Sequence, residues 1–276
     1  MYYITRGKQL GRLAKAGWAA NVLISNLIRD LVAPKKSHFQ FTREWLYSNY
    51  SWLTAYAQQQ SVGRLEASSS STNEITQVKL KLPVVNFFEL YPEARNLVIP
   101  MDTQYSEWNI SPTELYYLNC IAKLRGAKRI FEFGTYNGAT AYQLAKTCPD
   151  SEVVTIEVPA YTASFIIGSR YHGTLQEKQI RQLIGDSQTY DYSEFWETVD
   201  VVFVDADHRY EGAKADSLTA LKLVKPDGVI VWDDYDRVWP DVVRAINELI
   251  QEYPVVSIQG TKFAVLDLAK SSSSSR

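Results

Sequence analysis

The sequence predicts an α/β protein built on a doubly wound, mostly parallel sheet, and three observations carry that expectation. Apolar runs rich in β-branched and aromatic residues alternate with helix-patterned segments from Ser111 almost to the end of the chain, the pattern of a parallel sheet with helices on both faces. One stretch, Arg129 to Thr140 (RIFEFGTYNGAT), passes from strand through a glycine-punctuated turn, Gly134 to Gly138, into a helix beginning near Ala139. Acidic residues then collect where later strands end, and in open sheets of this kind ligands sit outside the carboxyl ends of the strands.

Length and composition bound the alternatives. A chain of 276 residues with 46% hydrophobic and 22% charged residues is an ordinary globular protein that buries a substantial core. Its formal charge of -2 lacks the basic excess of a nucleic-acid binder. Cys120 and Cys148 are the two cysteines; they form neither a disulfide framework nor a metal cluster, and read as buried small hydrophobes in a reducing, cytoplasmic setting.

Residues 1–100 read as an N-terminal extension. From Met1 to Lys36 seven Lys/Arg stand against one acid, and apolar residues recur at helical spacing from Leu10 to Leu31, which predicts a basic amphipathic helix. Its uncharged run, Ala16 to Ile28, has 13 residues and is too short to span a bilayer. Packing on the main domain or a second subunit, as in a homo-oligomer, is one role for it; peripheral contact with a membrane surface is the other. Aromatic residues from Trp45 to Tyr56 continue the helical pattern, Ser68 to Asn73 reads as a linker, and Gln77 to Phe88 reads as an accessory strand.

Ser111, Pro112 and Glu114 form a capping box ahead of an apolar helix through Leu124. Beyond the opening strand and turn, the predicted elements are a helix at 139–146, a strand at 152–158, a helix at 176–184, a strand at 201–205, a helix at 212–224, a strand at 228–232 and a helix at 240–253. Two last strands, 255–259 and 263–267, join through Gly260-Thr261 as an antiparallel hairpin at one edge. The tail, 271–276, is disordered by composition.

The strand ends carry the candidate chemistry. The turn at Gly134 and Gly138 points backbone N–H groups and a helix N-terminus into the crevice, and its glycines let a ligand approach the backbone. Glu157, 23 residues after Gly134, is placed to accept both hydroxyls of a ribose. Asp186, in IGDSQTY, either accepts from an adenine amino group or shapes a turn. In VVFVDADHRY and VIVWDDY, Asp205 faces Asp233 and Asp234 across neighbouring strands about 4.8 Å apart. Three such carboxylates without a compensating base repel one another, and an all-oxygen set suits a hard ion such as Mg²⁺. His208, three residues past Asp205, suits a general base near neutral pH.

These motifs, EFGTYNGAT, Glu157, GDS, FVDADHRYEG and VWDDY, resemble the class I S-adenosylmethionine-dependent methyltransferases. Within these the chain is similar to the metal-dependent O-methyltransferases of catechol, caffeoyl-CoA and macrolide-sugar type. The resemblance covers about Ser111 to Asp267, and it implies a Rossmann-like sheet of seven strands with the last antiparallel, in a methyltransferase domain at 101–270. It implies that Glu132, Gly134, Tyr136 and Gly138 line the methionine and ribose side of S-adenosylmethionine, that Glu157 holds the ribose, and that Asp186 lies near adenine. It further implies Asp205, Asp233 and Asp234 as Mg²⁺ ligands and His208 as the base. Histidine at that position is the macrolide-sugar pattern, which points to a small-molecule hydroxyl acceptor of sugar-like or other diol type. Asp234 departs from the asparagine usual in the catechol type and leaves a more negative site. Two other classes share parts of the pattern: a nicotinamide-dependent oxidoreductase, which lacks an account of the carboxylates and expects GxGxxG, and a non-catalytic scaffold that keeps the fold.

Overall fold

The computed structural model describes residues 78–102, 108–158, 166–249 and 251–271. The predicted basic helix, aromatic stretch and serine linker lie outside them, as do residues 272–276 of the tail. Among the described residues no helix is long and apolar enough to cross a membrane.

Eight strands form one sheet: β1 (Val84–Val85), β2 (Arg129–Phe133), β3 (Glu152–Glu157), β4 (Ile180–Ile184), β5 (Val199–Val204), β6 (Val224–Trp232), β7 (Val256–Ile258) and β8 (Ala264–Asp267). Their order is β1-β7-β8-β6-β5-β2-β3-β4, and β8 alone runs antiparallel to its neighbours. The α-helices among the described residues are α1 (Phe87–Leu90), α2 (Pro112–Leu124), α3 (Ala139–Thr147), α4 (Tyr210–Leu223), α5 (Pro240–Leu249) and α6 (Leu268–Ser271). The central strands are buried on both faces, which is why they read as continuous apolar runs rather than alternating ones. Phe131, Phe133, Val202 and Ile230 pack towards α4 and α5, while Ile130, Val201, Phe203 and Val229 pack towards α1, α2 and α3.

The predicted elements recur with three differences. First, the sheet has an eighth strand, because Val84–Val85 adds to the free side of β7 through Ser257 N to Pro83 O (2.8 Å) and Gln259 N to Val85 O (2.9 Å). Second, the final antiparallel hairpin joins the sheet through β8 against β6 and lies one strand in from the edge, because β1 adds outside β7. Third, the helix expected at 176–184 is a short 3-10 turn, Leu175–Gln179, followed by β4. The Leu/Ile spacing there mimics a helix, but β3 offers an open edge that β4 pairs residue for residue from Val153↔Ile180 to Glu157↔Ile184, and that pairing outweighs local preference.

Residues 78–100, grouped by sequence with the extension, are built into this domain. Phe87 is buried and stacks on Tyr117 with ring centres 3.8 Å apart, Tyr91 Oη donates to Asp267 Oδ2 at 2.8 Å, and Lys81 N donates to Tyr235 Oη at 2.8 Å. Cys120 and Cys148 are buried and unbridged. The capping box forms as read: Ser111 Oγ accepts from Glu114 N (3.3 Å) and Glu114 Oε2 accepts from Ser111 N (2.9 Å).

Candidate active site

The turn after β2 is held by backbone bonds on both sides. Gly134 N donates to Ile156 O and Asp205 N donates to Phe133 O, each at 3.0 Å. Gly134 lies at φ +91°, and a Cβ there would stand 1.9 Å from the carbonyl oxygen of Asp205. Gly138 caps α3 at φ +79°, and its Cβ would fall 2.5 Å from the ring of Tyr171. Both glycines therefore permit close approach of protein to protein, where the sequence suggested approach to a ligand. The Gly134 contact sets Asp205 directly against the turn.

Glu157 ends β3 at the crevice, with Oε2 accepting from Tyr136 N at 2.8 Å and Oε1 from Val158 N at 3.1 Å. Each oxygen keeps lone-pair capacity for a further donor, as a ribose diol requires. Tyr136 holds φ +48°, which aims its N–H at Glu157. Asp186 is exposed and uses Oδ1 to accept from Gln188 N at 2.9 Å, so its turn-forming role is realised.

Glu132 lies in β2, two residues before Gly134, and pairs with Thr155 of β3. Its side chain is buried, and Oε2 accepts from Thr155 Oγ1 at 2.6 Å. Thr155 shares a bond of 2.7 Å with Thr135, which accepts from Gln182 Nε2 at 2.9 Å. Burial pushes the Glu132 carboxyl up to about 8 from an ordinary 4.5, so the native state keeps a proton that the unfolded chain releases. Its contribution to stability is complete below about 4.5 and is lost as pH rises towards about 8. Glu132→Gln keeps an acceptor and removes the charge. At about 1.4 kcal/mol per pKa unit, unfolding free energies from urea denaturation at pH 5 and pH 8 should differ less in the variant by an amount reaching several kcal/mol; identical pH dependence in the two proteins refutes this account.

The ends of β5 and β6 bring the acids together. Asp233 N donates to Val204 O at 3.0 Å, which continues the ladder and aligns the Asp233-Asp234 pair with Asp205. One ligand atom each from Asp205, His208 and Asp234 lies within 4.8 Å of the others. His208 Nε2 meets Asp234 Oδ2 at 2.6 Å, and Trp239 packs on the imidazole with ring centres 4.0 Å apart. Asp233 is not one of the three converging groups. Its Oδ2 accepts from Lys262 Nζ at 3.0 Å, and the same ammonium reaches Asp234 Oδ1 at 2.5 Å. Lys262, in the β7–β8 turn, was not anticipated. The β6–β8 register pairs Trp232 with Ala264, and two further steps set Asp234 opposite Lys262.

The charges follow from these contacts. Burial, then the charge of Asp234, pushes the Asp205 carboxyl up to about 7, and the same two causes raise Asp233. Asp234 is drawn below the ordinary range: burial opposes its charge, but His208 and Lys262 outweigh burial. His208 is depressed by burial and raised by the hydrogen bond and charge of Asp234, with a net rise above 6.5. For Mg²⁺ the donor chemistry is right, and Asp233 Oδ1 is buried with no hydrogen-bond partner among the described residues. The packing is wrong, because both oxygens of Asp234 and one of Asp233 already face nitrogen donors. A divalent ion does not fit this arrangement while Lys262 keeps its place.

An open, mostly parallel sheet with β8 inserted antiparallel is a doubly wound, Rossmann-like arrangement, and Glu157 after β3 and the acid–histidine cluster after β5 and β6 stand at the carboxyl ends of its strands. Residues 131–235 match the family described as a methyltransferase domain, a segment containing Glu132, Gly134, Tyr136, Gly138, Glu157, Asp186, Asp205, His208, Asp233 and Asp234. An uncharacterized protein of Acanthamoeba polyphaga mimivirus is 34% identical over 70 residues, 25% of this chain and 32% of that one; the match spans about a third of that relative's length. Among solved structures, the O-methyltransferase from Bacillus cereus in complex with SAH is 22% identical, with 64% of this chain and 96% of that one covered at a TM-score of 0.49. TomG from Streptomyces achromogenes, an O-methyltransferase of tomaymycin synthesis solved with SAM, is 24% identical, with 66% and 96% covered at 0.48.

Proposed function

We propose that the protein transfers the methyl group of S-adenosylmethionine to a hydroxyl of a small molecule, a sugar-like or other diol. The observation that carries this reading is the His208–Asp234 pair, 2.6 Å apart, standing next to the glycine turn on which Asp205 rests. S-adenosylmethionine, held by Glu157 and the Gly134–Gly138 turn, would supply an electrophilic sulfonium methyl whose transfer to oxygen would return the sulfur–carbon electron pair to sulfur as S-adenosylhomocysteine.

Glu157 holds the ribose hydroxyls with its two acceptor oxygens, and the turn at Tyr136 fixes that carboxylate through its N–H. His208 accepts the acceptor hydroxyl's proton, and Asp234 stabilises the imidazolium that results. Trp239 keeps the imidazole plane fixed, so donor and acceptor meet in a defined geometry. A version with Mg²⁺ on Asp205, Asp233 and Asp234 draws on two of the three convergent groups, Asp205 and Asp234. Lys262 opposes it, so no step here runs through an ion.

Calorimetry with S-adenosylmethionine tests the reading. Binding is expected, and Glu157→Ala should weaken it at least tenfold, about what hydrogen bonds to a charged acceptor contribute. A native protein that does not bind the cofactor sinks the proposal. Turnover unchanged by chelator is the expected result for the metal-free form.

A further inference from the structure

We infer that Lys262 is the resident cation of the Asp233–Asp234 cluster and keeps the affinity of this site for divalent ions low. The inference rests on the methyl-transfer reading for the purpose of the cluster, while ion affinity is measured without cofactor, so the two fail separately.

Lys262 is a built position. Its backbone N donates to Glu114 Oε1 at 2.8 Å, and its carbonyl accepts from Tyr235 N at 2.8 Å. Glu114 is the buried acid whose other oxygen completes the cap of α2. The residue is thus gripped from two sides, by the start of α2 and by the segment that follows the two acids. Its side chain is only 19% exposed, and its ammonium group bridges Asp233 and Asp234. An ion using those oxygens would sit within a few ångströms of a fixed positive charge in a site shielded from water, where like charges repel strongly. Displacing the lysine instead would strand a buried ammonium without its partners, which is costly. Either route lowers ion affinity. Removing the ammonium reverses the balance: two buried carboxylates lose their counter-ion, and Asp233 Oδ1, which has no hydrogen-bond partner among the described residues, becomes an additional oxygen for a metal.

The test is a Mn²⁺ titration of the full chain followed by the electron-paramagnetic signal of free Mn²⁺, on native protein, Lys262→Met, Lys262→Arg and the double variant Lys262→Met/Asp205→Asn. Lys262→Met should bind one ion at least tenfold more tightly than native, Lys262→Arg should match native, and the double variant should lose the gain. In thermal melts Mn²⁺ should raise the midpoint of Lys262→Met and leave native protein unmoved. Equal affinity in native and Lys262→Met, or no binding by Lys262→Met, overturns the inference. Should the methionine variant fail to fold, Lys262→Gln replaces it, and micromolar binding by native protein is refuting without any variant.

Discussion

Replacing His208 with alanine should lower kcat by about 10²- to 10⁴-fold, the range that a positioned general base contributes, and leave the affinity for S-adenosylmethionine within twofold of native. The split follows from placement. His208 lies just past the end of β5 with Asp234 and Trp239, whereas Glu157, the acid proposed to hold the cofactor's ribose, ends β3 and is tied to Tyr136. The pH profile carries the sign. A base works in its neutral form, and Asp234 outweighs burial to hold the imidazole above its ordinary 6.5, so native activity should rise with pH through a point above 6.5. Asp234→Asn removes the charge that raises it and should move that inflection down; His208→Ala should abolish the limb. Single-turnover rates measured across pH 5.5 to 9 decide the matter, and an inflection that survives in His208→Ala assigns it to another group.

The parts of this site that were legible in the sequence are those fixed by local chain chemistry. A strand of Ile130, Phe131 and Phe133 leading into Gly134 specifies strand, turn and crevice together, because few other sequences combine a doubly buried strand with a left-handed turn. The acids at 157, 205, 233 and 234 could be placed because strands in such sheets end on the ligand side. What escaped was whatever depends on strand neighbours far apart in sequence. Segment 180–184 has a helix-like spacing and became a strand because β3 had an open edge. Lys262 was missed for a related reason: it lies in the turn of the last hairpin, 28 residues after Asp234 in the chain, and a metal is the obvious remedy for repulsion among acids whose counter-charge is that distant in sequence. Inserting β8 beside β6 brings residue 262 to residue 234, and the remedy becomes a side chain. Glu132, which only the resemblance assigns to the methionine and ribose side, lies by period-two alternation on the face opposite Phe131 and Phe133, with its carboxylate on Thr155.

Gly134→Ala should cost much more stability than Gly126→Ala, and the comparison separates backbone conformation from crowding. Both glycines have positive φ, +91° and +55°, but a Cβ at 126 meets nothing within 4 Å while one at 134 would stand 1.9 Å from Asp205 O and 2.8 Å from its carbonyl carbon. Gly126→Ala carries only the left-handed penalty, about 1 to 2 kcal/mol. Gly134→Ala adds an overlap that no rotamer can relieve, since the obstacle is backbone and the substituent is a lone methyl. Relief requires β5 to draw away from β2, which lengthens the bond from Asp205 N to Phe133 O. A total of about 4 kcal/mol or more is expected, in the range reserved for overpacking combined with backbone strain, and a domain of this size should melt roughly 10 °C lower. The same movement carries Asp205 away from Asp234, so the folded fraction of the variant should also lose methyl transfer. Urea unfolding of both variants gives the comparison directly. Equal losses at 126 and 134 would mean that the β2–β5 spacing yields freely, and that the position of Asp205 is not set by the glycine turn.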